Sequence, residues 1–300
     1  MNLTQRQLRM FVTTARLLHI SRASEVLHIS QPALTRALRE FEHQVGLDLL
    51  HRTTRQVRLT PDGERFLPVA ERLLHDLDHA ATDLRAHAQG VRGALTIAVG
   101  AAFGATVLPV ALQVFTARHP GVRVRLVEDN SAGITARVTR VEADLGIGSP
   151  IGDTASLVAR PLLSAPLGLL APPGRSAGLP LLKEPADTSI LNVLRSHGSD
   201  LVRRMERGIE VSSLTLQLAL ARQGLGIAVV SALGASHTQA QGMRFTPLRP
   251  MLRRELHALQ HADRAEAPAV TAFLRVLAEV LPQEVRRLRP GVRPLVAAPG

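Results

Sequence analysis

The chain of 300 residues is 45% hydrophobic and 20% charged, which leaves room for two or three compact units with a full core in each. Cys, Trp and Tyr are absent, so disulfides and thiolate metal sites are excluded and a reducing compartment, the cytoplasm, is the expected location. The formal net charge of +11, carried by arginine apart from Lys183, suits a polyanionic partner, and residues 1–60 hold nine Arg against four acidic residues.

The first element reads as an amphipathic helix with Leu8, Phe11, Val12, Ala15 and Leu18 on one face and Gln7, Arg9, Thr13 and Arg16 on the other. Its arginines leave no unbroken apolar run, so this start reads as folded chain rather than a secretory leader. Ser21 is the expected N-cap of a short second helix with Ala23, Val26 and Leu27 inward, and His28 and Ile29 break it. Ser30 then caps a third helix, with Pro32 in its first turn, Leu34, Leu38 and Phe41 inward, and Gly46 ending it after about Val45.

Two helices joined by so short a turn form a helix-turn-helix, whose second helix has the dimensions to enter a major groove. Its outer face offers Gln31, Thr35, Arg36 and Arg39, with Ser30 and Pro32 at its start. Gln and Arg carry the paired donors and acceptors that read adenine and guanine edges, and Thr and Arg reach phosphates. A plain helical hairpin with a solvated polar face fits the same pattern.

Residues 49–60 alternate Val57 and Leu59 with polar neighbours around an arginine-bearing turn, the pattern of a β-ribbon wing. Arg52 and Arg55 are placed there to touch phosphate or a minor groove. Thr60 caps a long helix to about residue 89, in which Phe66, Ala70, Leu73, Leu77, Ala80 and Leu84 alternate steps of four and three. A seam between two domains has no neighbouring element to cover it, so Phe66, Leu73, Leu77 and Leu84 are the expected dimer contacts. Pro68 is expected to bend the helix near its start.

Residues 90–93 mark a boundary. A strand at 94–99 runs into Gly100, Ala101, Ala102 and Phe103, followed by a helix to about 118, a strand at 122–128, a helix at 133–141 and a strand at 144–148. That alternation predicts a parallel sheet with crossover helices. Further strands are expected at 167–171, 227–230 and 256–260 and helices at 215–222 and 268–280, before a solvated basic tail holding Arg286, Arg287, Arg289 and Arg293. The most apolar stretch, 157–173, is broken by Arg160, Pro161 and Pro166 and does not read as a membrane span.

Catalytic and metal chemistry finds no support in the spacing. His75 and His79, and His257 and His261, lie four apart without an evident third ligand, so no metal or other cofactor is expected. Ser196 and His197 are adjacent but form no nucleophile elbow, and residues 146–150 fail the dinucleotide fingerprint at Pro150. An enzyme is therefore not expected. A DNA-binding architectural protein and a solute-binding or catalytic domain on a DNA anchor are the competing classes. The first has no use for a second domain with a cleft at its switch point, and the second lacks a catalytic set.

Residues 23–38, with Ser30, Gln31, Pro32, Ala33, Leu34 and Thr35 at their centre, then Leu50, Arg52, Thr53, Thr54, Arg55, Val57, Leu59, Thr60 and Gly63, resemble the LysR-type transcriptional regulators. Pro109, Phe115, Pro120, Val122, Asp144 to Ile147, Pro161, Leu162 and Gly224 to Ala228 extend the resemblance to about Leu281. The resemblance implies a winged helix-turn-helix over 1–60, a dimerisation helix over 61–92 and a regulatory domain over 93–300. That domain would resemble a periplasmic binding protein, with α/β subdomains at about 93–161 plus 250–281 and at about 162–249, and a basic tail over 282–300. It implies promoter DNA, a small-molecule effector, RNA polymerase and further copies of the chain, up to a homotetramer, as partners.

The effector residues implied are Gly100, Ala101, Ala102 and Phe103 after the first strand, Asn130 and Ser131 after the second, and Arg195, Ser196 and His197 in the second subdomain. Many relatives carry a hydroxyl where Ala102 stands, so main-chain N–H groups are the expected donors at that turn, with Phe103 as an apolar wall. Ser231 stands where a proline is usual, and residues 177–208 match poorly.

Overall fold

Three short helices and a two-stranded ribbon build the first of two units, 1–84, into which the chain divides from 85–300. The computed structural model describes residues 4–52, 57–86, 93–174, 178–264 and 267–295. In α1 (Gln5–Leu17), Thr4 and Gln7 form a complete capping box, and Leu8, Phe11, Val12 and Ala15 are buried as their spacing requires. Leu18 does not join them, because it terminates the helix in the left-handed region (φ 49°) and is exposed.

The second helix, α2 (Ile20–Val26), has His19 as its N-cap, two residues ahead of the expected Ser21. That shift puts Ala23 and Ser24 inward and leaves Val26 61% exposed rather than buried. α3 (Gln31–Val45) has the expected ends: Ser30 accepts from Ala33 N, Pro32 sits in the first turn and Gly46 caps at φ 77°. Leu34, Leu38 and Phe41 are fully buried. The wing pairs β1 (Leu50–Arg52) with β2 (Val57–Leu59), Leu50 opposite Leu59 and Arg52 opposite Val57.

The long helix α4 (Pro61–Ala86) contains Pro68 and begins on Thr60, whose hydroxyl accepts from Gly63 N at 3.0 Å and donates to the Asp48 carbonyl at 2.7 Å. Gly63 is required there, since a Cβ would lie 2.1 Å from the Leu49 carbonyl oxygen. Phe66 departs from the dimer assignment. Its ring lies 5.5 Å from Phe11 and 6.0 Å from Phe41, so it closes the core of its own unit, as does fully buried Ala70. Leu73 and Leu77 remain 40% and 46% exposed. The side chains of His75, His79, Ala80 and Leu84, and residues 90–92, lie outside the described residues.

The second unit opens with β3 (Gly93–Val99), the helices α5 (Ala101–Thr106) and α6 (Leu108–Arg118), β4 (Val122–Glu128), α7 (Ser131–Thr139) and β5 (Leu145–Gly148). β3 pairs in parallel with β4 on one side and β5 on the other, so the chain reverses direction across the sheet at β3. The sheet is mixed rather than parallel throughout. β5 runs antiparallel to β9 (Arg253–His261), which runs antiparallel to β6 (Leu157–Ala171).

β6 is one strand across the stretch where two prolines discouraged it. Pro161 sits at a register shift, and Pro166 is the last residue paired with β9 before Leu167 turns to β7 (Ala228–Ser231) and Gly168 to β8 (Arg244–Pro247). The crossing between the two lobes therefore falls at Pro166 and Arg253, a few residues beyond the expected limits.

The second lobe adds α8 (Ser189–Ser196), α9 (Leu201–Met205) and α10 (Leu214–Arg222), the first two in the stretch without a sequence assignment. α11 (Pro268–Arg287) continues through Pro282 past the expected end and packs on α6, its Phe273 edge-on to Phe115 at 5.4 Å. The segment that follows is not a solvated tail up to residue 295. Arg289 Nε donates to the Ala235 carbonyl at 2.7 Å, and β10 (Arg293–Pro294) pairs with β6. Residues 296–300 lie outside the described residues. No helix among the described residues is long and apolar enough to cross a membrane.

Candidate functional site

Burial of Leu34, Leu38 and Phe41 fixes the rotation of α3, and the same rotation turns Gln31, Pro32, Arg36 and Arg39 to solvent with Thr35 half-buried between them. These residues line one shallow depression together with Ile20 and Glu40. Neither Arg36 nor Arg39 has an ion-pair partner within 4.0 Å among the described residues, and both side chains are exposed. Ser30 is spent on its capping bond.

The turn from α3 into the wing is held by a residue the sequence reading did not single out. Buried Glu42 accepts from Leu49 N at 3.0 Å and from Leu50 N at 2.9 Å through one oxygen. Beyond that turn, the side chain of Arg52 and residues 53–56, which include Arg55, lie outside the described residues.

In the second unit, β3 and β4 end at the same sheet edge, where the chain switches direction. The turns that follow, Gly100 to Phe103 and Asp129 to Ser131, line a cleft of about 340 Å³. Asn130 caps α7 through its Oδ1, which accepts from Gly133 N at 2.8 Å, and its amide donates to Asp187 at 2.6 Å in the other lobe. Buried Ser131 donates to Ser189 Oγ, 3.1 Å away at the start of α8. The expected Ala102 and Phe103 line the cleft as well, though Phe103 is fully buried and its ring serves the lobe core.

Arg195, Ser196 and His197 do not reach the cleft. They sit exposed at the C-terminal end of α8, where His197 Nδ1 lies 2.9 Å from the Val193 carbonyl and 3.1 Å from Ser196 Oγ. The opposite end of α8, at Thr188, Ser189 and Ile190, supplies the lining.

Further lining residues were not legible, among them Glu184, Gln217 and Arg254. Gln217 Nε2 donates to Glu184 Oε1 at 2.6 Å, and burial pushes the Glu184 carboxyl above its ordinary value, against hydrogen bonds from Gln217 and Thr188 and the field of Arg254. Arg254 follows Arg253 at the lobe crossing, and strand alternation sends the two to opposite faces. Arg253 is bound to Ser164 and the Gly291 carbonyl, while Arg254 donates from Nε to Ser149 Oγ at 3.1 Å. Burial lowers the Arg254 guanidinium to about 10, opposed by the Glu184 charge.

His257 and His261 lie on β9, where four residues span roughly 13 Å, too far for both to ligate one metal ion. Burial lowers the His257 pKa, with Glu255 opposing.

Comparison with known proteins gives two family matches, "Bacterial regulatory helix-turn-helix protein, lysR family" over residues 5–64 and "LysR substrate binding domain" over residues 88–282. The chain is 28% identical to the Escherichia coli transcriptional activator protein LysR over 287 residues, 90% of each protein, and 28% identical over 283 residues to the uncharacterized Escherichia coli HTH-type regulator YbhD, covering 90% of this chain and 89% of that protein. Among solved structures, the fold matches CbnR, a LysR family transcriptional regulator, with a TM-score of 0.66 at 19% identity over 93% of this chain and 99% of that one. It matches a full-length OxyR variant from Pseudomonas aeruginosa with a TM-score of 0.65 at 23% identity over 97% and 99%.

Proposed function

The chain belongs to the LysR family of DNA-binding transcriptional regulators with an effector-binding domain, and on that premise we propose which of its residues bind DNA, effector and partner subunit. Gln31, Thr35, Arg36 and Arg39 read or grip the operator, with Ser30 and Pro32 setting the start of the helix and Arg52 and Arg55 contacting phosphates from the wing. The observation that carries this reading is the exposed pair Arg36 and Arg39, without an ion pair among the described residues, beside Gln31 on α3. The relative CbnR has been solved in a complex with its target DNA, which accords with this use of the fold.

The proposed division of labour is DNA binding over 1–60, a linker helix over 61–92 and effector control over 93–300. The start of the linker helix also closes the DNA-binding core. Exposed Leu73 and Leu77, with Leu84, form a dimer seam, and dimers pair into a tetramer. The effector lies between the lobes against Gly100 to Phe103, Asn130 and Ser131, and its binding in the cytoplasm alters the contact with RNA polymerase at the promoter. No catalytic step is assigned to the chain.

Footprinting with full-length protein tests the DNA face. Arg36→Ala and Gln31→Ala each weaken operator binding by about 1–3 kcal/mol while the fold is retained, and a footprint of full strength from either variant removes that residue from the interface. Ser131→Trp fills the cleft. It abolishes effector-dependent promoter control while DNA binding and oligomer size stay as they are, and retained control would move the effector elsewhere.

A further inference from the structure

Among the described residues, four charged side chains line the interlobe cleft: Glu128, Asp129, Glu184 and Arg254. Asp129 is already occupied, with Arg137 Nε 2.8 Å from Oδ2 and Asn130 N donating to Oδ1 at 2.9 Å. Glu128 is exposed at the rim. The interior is thus left with one carboxylate and one guanidinium.

These two do not satisfy each other. No ion pair within 4.0 Å joins Glu184 to Arg254, although each feels the charge of the other. Glu184 is only 6% exposed, and its hydrogen-bond partners are neutral donors. Arg254 uses Nε on Ser149, and its two terminal nitrogens have no acceptor among the described residues. Glu184 is buried and Arg254 half-buried on the same cleft, and with the two held apart each keeps hydrogen-bonding capacity that a third group can complete.

We infer that the effector is amphoteric, a small amino-carboxylic acid whose carboxylate is forked by the terminal nitrogens of Arg254 and whose ammonium is held by Glu184. The inference rests on the cleft being the effector site. A guanidinium fork matches a carboxylate in plane, and a carboxylate beside neutral donors selects a compact cation over an anion. A dianion would set its second charge against Glu184 and Glu128, and a simple amine would leave Arg254 uncompensated. The cleft volume of about 340 Å³ is at the small end of ligand sites and fits a molecule of that class.

The test is thermal denaturation and calorimetric titration of the full-length protein against a panel of α-amino and ω-amino carboxylic acids. Each is matched with the carboxylate lacking its amine and the amine lacking its carboxylate. At least one amino acid is expected to bind, with both truncated analogues weaker by about ten-fold or more, the equivalent of one lost charged contact. Glu184→Gln is expected to erase the preference over the deaminated carboxylate, and Arg254→Gln the preference over the amine.

A deaminated carboxylate or a dicarboxylate that binds as tightly as any amino acid, or a preference unchanged in Glu184→Gln, overturns the amphoteric assignment and leaves the cleft as the effector site. Amino-acid binding that survives Ser131→Trp overturns the cleft reading itself. Absence of binding by every member of the panel at millimolar concentration overturns the inference.

Discussion

Two buried carboxylates do opposite work at the scale of single residues. Glu42 is spent on structure: its oxygen takes the N–H groups of Leu49 and Leu50, which would otherwise be unpaired where the chain leaves α3 for the wing. Glu42→Ala is expected to cost about 1–3 kcal/mol for each donor left buried, read as a lower urea midpoint for the N-terminal unit. Glu184 burdens the fold. Its native pKa lies above the ordinary value of 4.5, chiefly through burial, so the folded chain keeps a proton at pH values where the unfolded chain has lost it. Stability therefore falls as pH rises from about 4.5 through the raised native value, and stays lowered above it. Glu184→Gln is expected to raise the melting temperature of the C-terminal unit at neutral pH, by about 2–4 °C for each kcal/mol regained, and to flatten its pH dependence. A lower melting temperature at neutral pH would show that the carboxylate stabilises the fold. Neither residue announces its role in the sequence. Glu42 reaches its partners across a turn and Glu184 meets Gln217 from 33 positions away, so no local periodicity encodes either contact.

At the scale of elements, legibility follows how local the determining physics is. α3 was readable to both ends because Ser30, Pro32 and Gly46 act within one turn of themselves, and its buried triad repeats at helical spacing. β6 was readable only over its last third. A proline argues against a strand, but Pro161 falls at a register shift and Pro166 where the strand exchanges partners, and those positions exist only once β7, β8 and β9 are in place. α4 shows the same division within one helix. Its apolar steps continue unbroken from Phe66 to Leu84, yet Phe66 and Ala70 serve the core of the first unit while Leu73 and Leu77 stay exposed. The exposed pair makes the seam testable without disturbing that core. Leu77→Glu is expected to dissociate the oligomer in sedimentation experiments with the helix content unchanged, because a burial worth roughly 1.5–3 kcal/mol per leucine is replaced by a buried charge. An unchanged sedimentation coefficient would remove the dimer seam from this face.

Across the whole molecule, the cleft was half legible. The turns after β3 and β4 follow from strand-to-helix alternation and the switch point, which a sequence displays. Glu184, Gln217 and Arg254 come from segments far apart in the chain and converge only through the crossing of β6 and β9, so their meeting required the fold. The segment after α11 conceals its packing for the same reason. Its arginines and Pro–Gly composition look solvated, but Arg289 finds the carbonyls of Ala235 at 2.7 Å, Met243 at 3.0 Å and Ala240 at 3.3 Å, and its own N–H donates to Ser236 Oγ at 2.9 Å. Because α11 packs on α6 of the first lobe and these acceptors follow β7 in the second, Arg289 ties the lobes together. Arg289→Ala is expected to lower the stability of the C-terminal unit by about 1.5–3 kcal/mol, the range for hydrogen bonds to a charged group, and to leave the N-terminal unit unchanged. Arg289→Lys is expected to recover little, because a single ammonium cannot fork to carbonyls on separate turns. A solvated tail predicts instead a change within about 0.5 kcal/mol for both variants, so chemical denaturation followed separately for the two units decides between them.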